Sequence, residues 1–302
     1  MGTSVSVMMP TFRRARSGLL AEALDSVLAQ TYRELQLIVI DDGSTDGTAE
    51  ILREYADRDE RIVVIRHDRN SGLPGLRIDQ ALHLAEGEYI SYMFDDDEWY
   101  PSALETLRDH LEAHPETDLV YGDVRFPFPD SEGIVRERVL GAEPAHFDPE
   151  RLAISNYIAN VAVMHRRTCL AVAGVFDPNI LIRRLCDWDL WLRMAKRCRI
   201  EHVPVLIGEA KGLLTSDSLG LTAALPYDLT RRYMMTERDE YLSPELAPSR
   251  RIDDLSLFEG KLTPDELAQA YAAFAQFYRQ IGDEPRARMY ESELARVSQQ
   301  RP

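Results

Sequence analysis

The chain has 302 residues, with 51 acidic and 35 basic side chains and a formal net charge of −16 at pH 7. That length can bury a full hydrophobic core, whereas the acidic balance argues against a nucleic-acid scaffold, because binding a phosphate backbone normally needs a basic face. Three scattered cysteines, with neither a signal-peptide pattern nor an apolar run of about 18 residues, predict a cytoplasmic protein without disulfides or a transmembrane segment.

Short apolar runs alternate with amphipathic runs over the first hundred residues. Strand patterns occur at 4–10, 35–41, 61–67 and 88–94, and helical patterns lie between them at 19–30, 44–56 and 75–87. This order predicts an α/β fold with a mainly parallel sheet that is covered by helices on both faces. Ligands of such sheets bind beyond the carboxyl ends of the strands, and acidic clusters follow two of these strands, at 41–46 and 95–98.

The pattern loosens after residue 101. We predict a helix at 101–116, a strand at 118–124, a turn-rich stretch with a hairpin at 126–150, a strand at 157–166, helices at 167–174 and 187–197, and one or two strands at 200–210. The stretch 211–223 has small residues and no clear period, which favours a loop over the active face.

The C-terminal region has a different pattern. Residues 263–297 are typical of two antiparallel helices with a turn near Gly282. We therefore predict a main domain at 1–225 and a helical extension at 226–302. The helical hairpin would pack on the main domain or on a second copy of the chain, and docking of a partner protein is the alternative.

The sequence FDDDEWY places four acidic residues in a row after a predicted buried strand, at Asp95, Asp96, Asp97 and Glu98. A solvated turn that caps the following helix would explain one acid near the helix N-terminus, but four are more than a cap needs. Carboxylate oxygens on a short loop also suit Mg²⁺ or Mn²⁺, which bind one or two carboxylates and leave positions for substrate phosphates. The cluster therefore predicts either a capping turn or a divalent-cation site.

The sequence VIDDGSTDGT at 39–48 forms the second acidic cluster. Asp42 and Ser44 could serve only as turn and cap residues, or a carboxylate there could accept hydrogen bonds from a nucleobase or a ribose. A nicotinamide-binding site would instead need GxGxxG after the first strand. MMPTFRRARSG stands in that place, which argues against a dehydrogenase.

A third group of candidates lies in CDWDLWLRM at 186–194. In the structural interpretation, Asp187 caps a helix and Asp189 pairs with Arg193 four residues later. In the functional interpretation, Asp187 is a general base whose pKa is raised by an aromatic, partly dry setting. The residues alone favour the structural interpretation.

Five stretches, in this order and spacing, resemble the family 2 inverting glycosyltransferases of the GT-A fold, including their spore-coat-type bacterial members: SVSVMMPTFRR, ALDSVLAQTYRELQLIVIDDGSTDGT, LAEGEYISYMFDDDEWYP, VMHRR and CDWDLWLRM. The resemblance covers about residues 4–210. It implies a Rossmann-like nucleotide-sugar transferase domain with a nucleotide-binding half at 1–100 and an acceptor half at 101–225. It also implies a UDP- or dTDP-sugar donor, a hydroxyl acceptor on a glycan, a lipid-linked sugar or a small molecule, and Mn²⁺ or Mg²⁺ as cofactor.

By position, the resemblance also implies roles for single residues. Nucleotide-sugar contacts would come from Pro10, Thr11, Phe12, Arg14, Asp41, Asp42, Arg77, Asp95 and Asp96. The metal ligands would be Asp96 and Asp97: counting back from Pro101 selects Asp96, whereas the literal DXD spelling selects Asp95 and Asp97. Asp187 would be the general base, and His165 and Trp188 would lie on the acceptor side.

The chain departs from the family pattern at two places. Cys186 stands where the family usually has a glutamate before the base, and GLRID at 75–79 replaces a common Ala-Arg-Asn run. Two other interpretations remain open from the sequence: a sugar nucleotidyltransferase, which shares a similar sheet and acidic site, and a catalytically silent nucleotide-binding or scaffold protein.

Overall fold

A computed structural model describes residues 5–129, 132–177, 185–211, 227–236, 253, 262–280 and 282–299. The strands in this part of the chain are β1 (Val5–Thr11), β2 (Leu35–Asp41), β3 (Ile62–Arg66), β4 (Tyr89–Tyr92), β5 (Asp97–Trp99), β6 (Leu119–Pro129), β7 (Val135–Leu140), β8 (Val163–Arg166) and β9 (Ile200–Ala210). The α-helices are α1 (Leu19–Leu28), α2 (Thr48–Ala56), α3 (Pro74–Ala81), α4 (Ala103–Ala113), α5 (Pro149–Ile154), α6 (Thr168–Ala173), α7 (Cys186–Ala195), α8 (Tyr227–Met234), α9 (Pro264–Gln280) and α10 (Glu284–Gln299). Short 3-10 helices occupy Leu82–Leu84 and Asn160–Ala162.

The described strands form one mixed sheet in the order β3-β2-β1-β4-β8-β6-β9-β5, with β7 paired to β6. The first four strands in this order run parallel to one another, as predicted from their alternation with helices. Every residue of β1 and β2 is buried, which is the pattern of a parallel sheet covered on both faces. The parallel register places Thr11 beside Asp41, so the carboxyl ends of β1 and β2 meet at one edge of the sheet.

The second half of the sheet mixes both strand directions. Strand β8 runs antiparallel to β4 and to β6, while β6 runs parallel to β9. The turn-rich stretch contains the predicted hairpin, formed by β6 and β7. The run 200–210 is one strand of 11 residues.

The acidic cluster at 95–98 is not a loop throughout, in contrast to our expectation. Asp97, Glu98 and Trp99 form β5, which pairs antiparallel with the end of β9. The backbone of Gly208 lies so close to β5 that an added Cβ would lie 2.4 Å from the carbonyl oxygen of Glu98. The acidic residues are therefore fixed from the C-terminal side by the sheet itself.

The C-terminal helices connect to the main domain through α8. The hydroxyl of Tyr233 donates to Asp177 Oδ2 at 2.8 Å, and Arg231 donates to the carbonyl of Ala153. Helices α9 and α10 form the predicted hairpin, which turns at Gly282 with φ of 78°. Arg232 of α8 pairs with Glu266 of α9 at 2.6 Å.

Two sequence predictions fall largely outside the described residues. Of the loop predicted at 211–223, only Lys211 is described, and the domain boundary between residues 225 and 226 lies in a part of the chain without a description. The two-domain division therefore stays a prediction. No helix within the described ranges is long and apolar enough to cross a membrane.

Candidate active site

Arg14 joins the end of β1 to the acidic cluster. Its Nε lies 3.1 Å from Asp95 Oδ1 and one terminal nitrogen lies 2.8 Å from Asp96 Oδ2. The preceding residue, Arg13, has φ of 55°, in the left-handed region that residues other than glycine rarely adopt. This turn sends Arg14 back over the end of the sheet, and the backbone N–H of Arg14 donates to Thr48 at the start of α2.

Asp95 is completely buried and its two oxygens are both engaged. The hydroxyl of Thr11 donates to Oδ2 at 2.6 Å, the backbone N–H of Phe12 donates to the same oxygen at 3.3 Å, and Arg14 occupies Oδ1. Burial, followed by the neighbouring Asp96 carboxylate, raises the pKa of Asp95 to about 6, although Arg14 and Thr11 oppose this shift. Asp95 therefore holds the end of β1 against the acidic cluster.

Asp96 and Asp97 lie closer to solvent than Asp95. Each is 8% exposed, whereas Asp95 is 0% exposed. Burial raises the pKa of Asp96 above its usual value, against the effect of Arg14. Glu98 is turned to the outer side of the cluster, where Lys211 Nζ contacts its Oε2 at 2.5 Å and Glu22 Oε2 at 3.1 Å.

Asp41 ends β2 with one carboxylate oxygen that lacks a hydrogen bond. Oδ1 accepts the backbone N–H of Ser44 at 2.9 Å. Oδ2 is buried without a hydrogen-bond partner among the described residues, and Arg66 Nε lies 3.6 Å from it. Asp41 and Arg66 line a cavity of about 270 Å³ between α2 and β3. A buried acceptor of this kind normally costs stability unless a ligand or water completes it.

Asp42 is held by a dense set of hydrogen bonds. Its oxygens accept the backbone N–H and the hydroxyl of Ser71, the N–H of Gly72 and Nε of Arg77. Gly43 next to it has φ of 79°, and a Cβ there would lie 2.5 Å from the backbone of Arg69. The glycine therefore allows the two loops to pack directly against each other at this edge of the sheet.

The guanidinium of Arg77 is committed to the same loop. Besides Asp42, it contacts His67 Nδ1 at 3.0 Å, Gln80 Oε1 at 2.8 Å and the carbonyl of Arg69 at 2.8 Å. Arg77 is 8% exposed. The structure thus places Arg77, a predicted nucleotide-sugar contact, in a bridge between α3 and the loop that follows β3.

Asp187 lies in the first turn of α7 and is partly buried. Its Oδ2 accepts a hydrogen bond from Nδ2 of Asn156 at 3.2 Å. Burial raises the pKa of Asp187, while hydrogen bonds from the backbone of Trp188 and from Asn156 oppose the shift. A carboxylate with a raised pKa is a better proton acceptor near neutral pH, so the local chemistry suits a general base.

The two residues predicted on the acceptor side are both buried and hydrogen-bonded within the protein. His165 is 0% exposed, with Nε2 2.8 Å from the Tyr92 hydroxyl and Nδ1 2.8 Å from the carbonyl of Arg166, and burial lowers its pKa to about 4. Trp188 is 2% exposed and donates from Nε1 to the carbonyl of Leu152 at 2.6 Å. The polar atoms of both side chains are thus engaged inside the protein, and their acceptor-side roles stay predictions.

Cys186, at the position where a glutamate was expected, packs between helices. Its Sγ lies 3.5 Å from where a Cβ on Gly75 would be, and burial raises the pKa of the thiol. Because α3 carries both Gly75 and Arg77, the helix with the base candidate packs on the helix that holds Asp42. The small thiol fits this close approach.

The donor chemistry of the acidic cluster fits a hard divalent cation. Asp96 and Asp97 supply carboxylate oxygens near the surface, and the contact with Arg14 uses Oδ2 of Asp96. Within the described ranges, no three His, Cys, Asp or Glu side chains are already arranged around a metal position. Mg²⁺ and Mn²⁺ take one or two protein carboxylates and complete their shell with water and phosphate oxygens, and carboxylate oxygens are the donor type that Asp96 and Asp97 would supply. Asp95 is a poor ligand because both of its oxygens are occupied.

The sequence profile of the family described as Glycosyl transferase family 2 matches residues 6–171, more than half of the chain. The chain belongs to this family. This glycosyltransferase is 33% identical over 193 residues to the Bacillus subtilis protein provisionally named glycosyltransferase EpsE, a match that covers 64% of this chain and 66% of EpsE. It is 30% identical over 189 residues to a Mycobacterium bovis protein named PGL/p-HBAD biosynthesis glycosyltransferase, covering 62% and 68% of the two chains.

Solved structures confirm the predicted GT-A fold. TarS residues 1–349 of S. aureus, in complex with UDP-GlcNAc, superposes with a TM-score of 0.63 at 18% identity, covering 97% of this chain and 92% of that one. The mannosyltransferase PcManGT from Pyrobaculum calidifontis, in complex with GDP-Man and Mn²⁺, superposes with a TM-score of 0.55 at 16% identity, covering 98% and 81%. At these identities the likeness concerns the fold alone.

The structure brings the predicted residues of the first half together at one edge of the sheet. Thr11, Phe12 and Arg14 contact the 95–96 carboxylates directly, while Pro10 is buried at the end of β1. Sequence reasoning missed Asn156. No motif marks this residue, because its contact with Asp187 depends on how α5 packs against α7.

Proposed function

We propose that the chain is a metal-dependent, inverting glycosyltransferase that moves a sugar from a UDP- or dTDP-sugar to an acceptor hydroxyl by single displacement. The observation that carries this proposal is the pair of carboxylates at 95 and 96, bound by Arg14 at the carboxyl ends of the strands of a family 2 chain. Support also comes from TarS, a neighbour in fold that binds UDP-GlcNAc. The acceptor would be a glycan, a lipid-linked sugar or a small molecule. The three free thiols agree with a cytoplasmic location.

In this proposal Asp96, with Asp97 beside it, would hold Mn²⁺ or Mg²⁺. When bound, the ion would supply positive charge to the diphosphate as the leaving group develops negative charge. PcManGT, which carries Mn²⁺ in its complex, is consistent with such an ion in this fold. Arg14 pairs with both Asp95 and Asp96 and so offsets the repulsion between these two neighbouring negative charges.

The nucleotide would lie over the ends of β1 and β2. Asp41 offers the buried oxygen without a hydrogen-bond partner, which suits an N–H of a nucleobase or a ribose hydroxyl. Asp42 already accepts several hydrogen bonds, so a nucleotide contact there would share an oxygen with Ser71 or Arg77. Pro10, Thr11 and the half-buried ring of Phe12 would form the wall beside the base.

Asp187 would act as the general base. The acceptor oxygen would form a bond to the anomeric carbon while its proton passes to the Asp187 carboxylate. The bond from the anomeric carbon to the diphosphate oxygen would break on the opposite side, and its electron pair would leave with the nucleoside diphosphate. One such displacement inverts the configuration and needs no covalent sugar intermediate.

Replacement of Asp187 separates binding from transfer. We expect Asp187→Asn to bind UDP with Mn²⁺ as the wild type does and to lose at least about a hundredfold in turnover, because a general base contributes about that much. Asp96→Ala is the contrasting variant, which should lose the Mn²⁺-dependent part of UDP binding. UDP binding is measured by calorimetry, and turnover by release of nucleoside diphosphate from a panel of UDP- and dTDP-sugars.

Three results would contradict the proposal. Wild-type turnover by Asp187→Asn would exclude it as the base. Release of pyrophosphate from a sugar phosphate and a nucleoside triphosphate would indicate a nucleotidyltransferase. Tight, metal-dependent UDP binding without turnover of any donor in the panel would favour a silent nucleotide-binding protein.

A further inference from the structure

In the described part of the chain, Asn156 is the one side chain that donates a hydrogen bond to the Asp187 carboxylate. It lies between α5 and the 3-10 helix at Asn160–Ala162, outside the sheet and outside every motif of the sequence. Its Nδ2 lies 3.2 Å from Asp187 Oδ2, and its Oδ1 accepts the backbone N–H of Ile158 at 3.3 Å. The second bond fixes which end of the amide faces the carboxylate, because only an oxygen can accept from Ile158.

The segment that carries Asn156 is fixed on both sides. Before it, Trp188 of α7 donates to the carbonyl of Leu152, so α5 is tied to the first turn of α7 next to Asp187. After it, the hydroxyl of Tyr157 both accepts from the N–H of Asp148 and donates to its carbonyl. Asp148 in turn caps the start of α5. The amide is therefore held in place by contacts that do not involve Asp187.

The amide also suits the electrostatics of this site. Burial raises the pKa of Asp187, and a hydrogen bond donated to the carboxylate favours its ionised form. A neutral donor moderates the shift without pairing the carboxylate with a full positive charge, which would lower its basicity. The residue before the base is a neutral thiol, Cys186, so the preceding side chain adds no charge at ordinary pH.

We propose that Asn156 is a positioning residue for the general base: its amide, itself fixed by the backbone of Ile158, orients the Asp187 carboxylate. This inference rests on the proposed function of Asp187. It assigns a role to a residue whose side-chain hydrogen bonds go to Asp187 and to the backbone of Ile158, and not to the 95–98 cluster. The short segment between α5 and β8 would thus help to orient the general base.

Removal of the amide should change the pH dependence of turnover. In Asn156→Ala the carboxylate loses a donor, so the acidic limb of the kcat profile should move up by about one pH unit, a tenfold change in the ionisation constant. Turnover of the variant should fall severalfold below that of the wild type on the acidic limb and approach the wild-type rate on the plateau at higher pH. The KM for the donor should stay within about twofold, because the Asn156 amide contacts the base and not the strand ends where the nucleotide is proposed to bind. Asn156→Asp, with a second carboxylate in the same place, should move the limb further in the same direction.

The assay uses the full chain with Mn²⁺ and the sugar nucleotide that it turns over among UDP-glucose, UDP-N-acetylglucosamine and dTDP-glucose. The matched control is Ser155→Ala, at an exposed position in the same segment, and its profile should overlay that of the wild type. A loss of turnover in Asn156→Ala that is equal at every pH would mean a merely structural role and would overturn the proposal. An unchanged profile would overturn it as well.

A second measurement needs no donor. The titration of the Asp187 carboxyl carbon, followed by NMR in the full chain labelled with ¹³C-aspartate and assigned with Asp187→Asn, should have a higher midpoint in Asn156→Ala than in the wild type. An equal midpoint would overturn the role of Asn156. If no donor is turned over but the midpoint moves, the proposed function fails while the coupling between Asn156 and Asp187 stands.

Discussion

Arg14 is the residue on which the acidic cluster depends. Two buried carboxylates face one guanidinium, so the cluster carries an excess negative charge before any cation or ligand arrives. Removing one member of a buried ion pair usually costs about 3 to 5 kcal/mol, because the other charge is left unpaired. The pattern FDDDEWY predicted the charge, but it could not predict that an arginine from the first strand end lies among the acids.

The raised pKa of Asp95 predicts how stability depends on pH. A carboxyl whose pKa is about 6 in the native state and near its ordinary value when unfolded stabilises the fold below about pH 4, and this contribution is lost as the pH rises through about 6. We expect the free energy of unfolding of the wild type, relative to Asp95→Asn, to fall by about 2 to 3 kcal/mol between pH 4 and pH 6.5. Urea unfolding followed by circular dichroism at several pH values measures this difference.

Asp59 provides a control, because its pKa is shifted in the opposite direction from that of Asp95. Its hydrogen bond with Arg61 lowers the pKa of the carboxyl, so its contribution to stability is lost only at lower pH. Asp59→Asn should therefore leave the slope between pH 4 and pH 6.5 unchanged. A constant difference between wild type and Asp95→Asn over this range would show that Asp95 does not titrate there.

At the scale of elements, the N-terminal strands and helices follow from the sequence, and the second half of the sheet does so only in part. Strands β1 to β4 are apolar runs, and the segments between them space their apolar residues as a helix does. Both signals are local in the sequence. Strand β5 has no such signal. Its three residues, Asp97, Glu98 and Trp99, are a strand only because β9, more than a hundred residues later, pairs with them.

The candidate site divides in the same way. The residues at strand ends were predictable because parallel strands place their carboxyl ends at one edge. The contacts of Arg77 and His165 could not be predicted, because they depend on loops and on packing between distant segments. Family resemblance gave these residues the roles of ligand contacts, whereas local packing uses their polar atoms inside the protein.

The close approach of β9 to β5 predicts a sensitive position at Gly208. A methyl group there would meet the carbonyl of Glu98, so Gly208→Ala should push β5 outward. We expect a loss of about 1 to 3 kcal/mol in stability and, because Asp96 shifts with the strand, at least about tenfold weaker UDP binding in the presence of Mn²⁺. Urea unfolding and calorimetry measure the two effects.

Gly133, in the turn between β6 and β7, is the control. An added Cβ there has no atom within 4 Å, although φ of 78° makes the substitution slightly strained. Gly133→Ala should cost about 1 kcal/mol and leave UDP affinity unchanged. Equal UDP affinities for Gly208→Ala and wild type would mean that β9 does not position the acidic cluster.

For the whole molecule, the described contacts connect the C-terminal helices to the segment before α7. Tyr233 of α8 is 0% exposed and its hydroxyl bonds to Asp177, which is 2% exposed. Arg193 of α7 reaches the same segment, where it donates to the carbonyl oxygens of Ala173 and Val175. The helical extension and the base-bearing helix are thus anchored to one short stretch of chain.

This anchoring predicts that the two predicted domains unfold together. Tyr233→Phe removes a hydrogen bond to a buried carboxylate and should lower stability by about 1.5 to 3 kcal/mol, with a single cooperative transition in wild type and variant. Met235→Ala, at a side chain that is 47% exposed just after α8, should change stability by less than about 0.5 kcal/mol. Differential scanning calorimetry distinguishes one transition from two, and two well-separated transitions would contradict the coupling.

The positions of the tryptophans have a practical consequence. The chain has three, and all of them lie next to the proposed chemistry: Trp99 ends the strand of the acidic cluster, and Trp188 and Trp191 lie on the helix that begins beside Asp187. Each is at most 2% exposed. The tryptophan fluorescence of the protein therefore originates entirely from the two elements that carry the acidic cluster and the base candidate, so selectively excited tryptophan emission from unlabelled protein can report on events there.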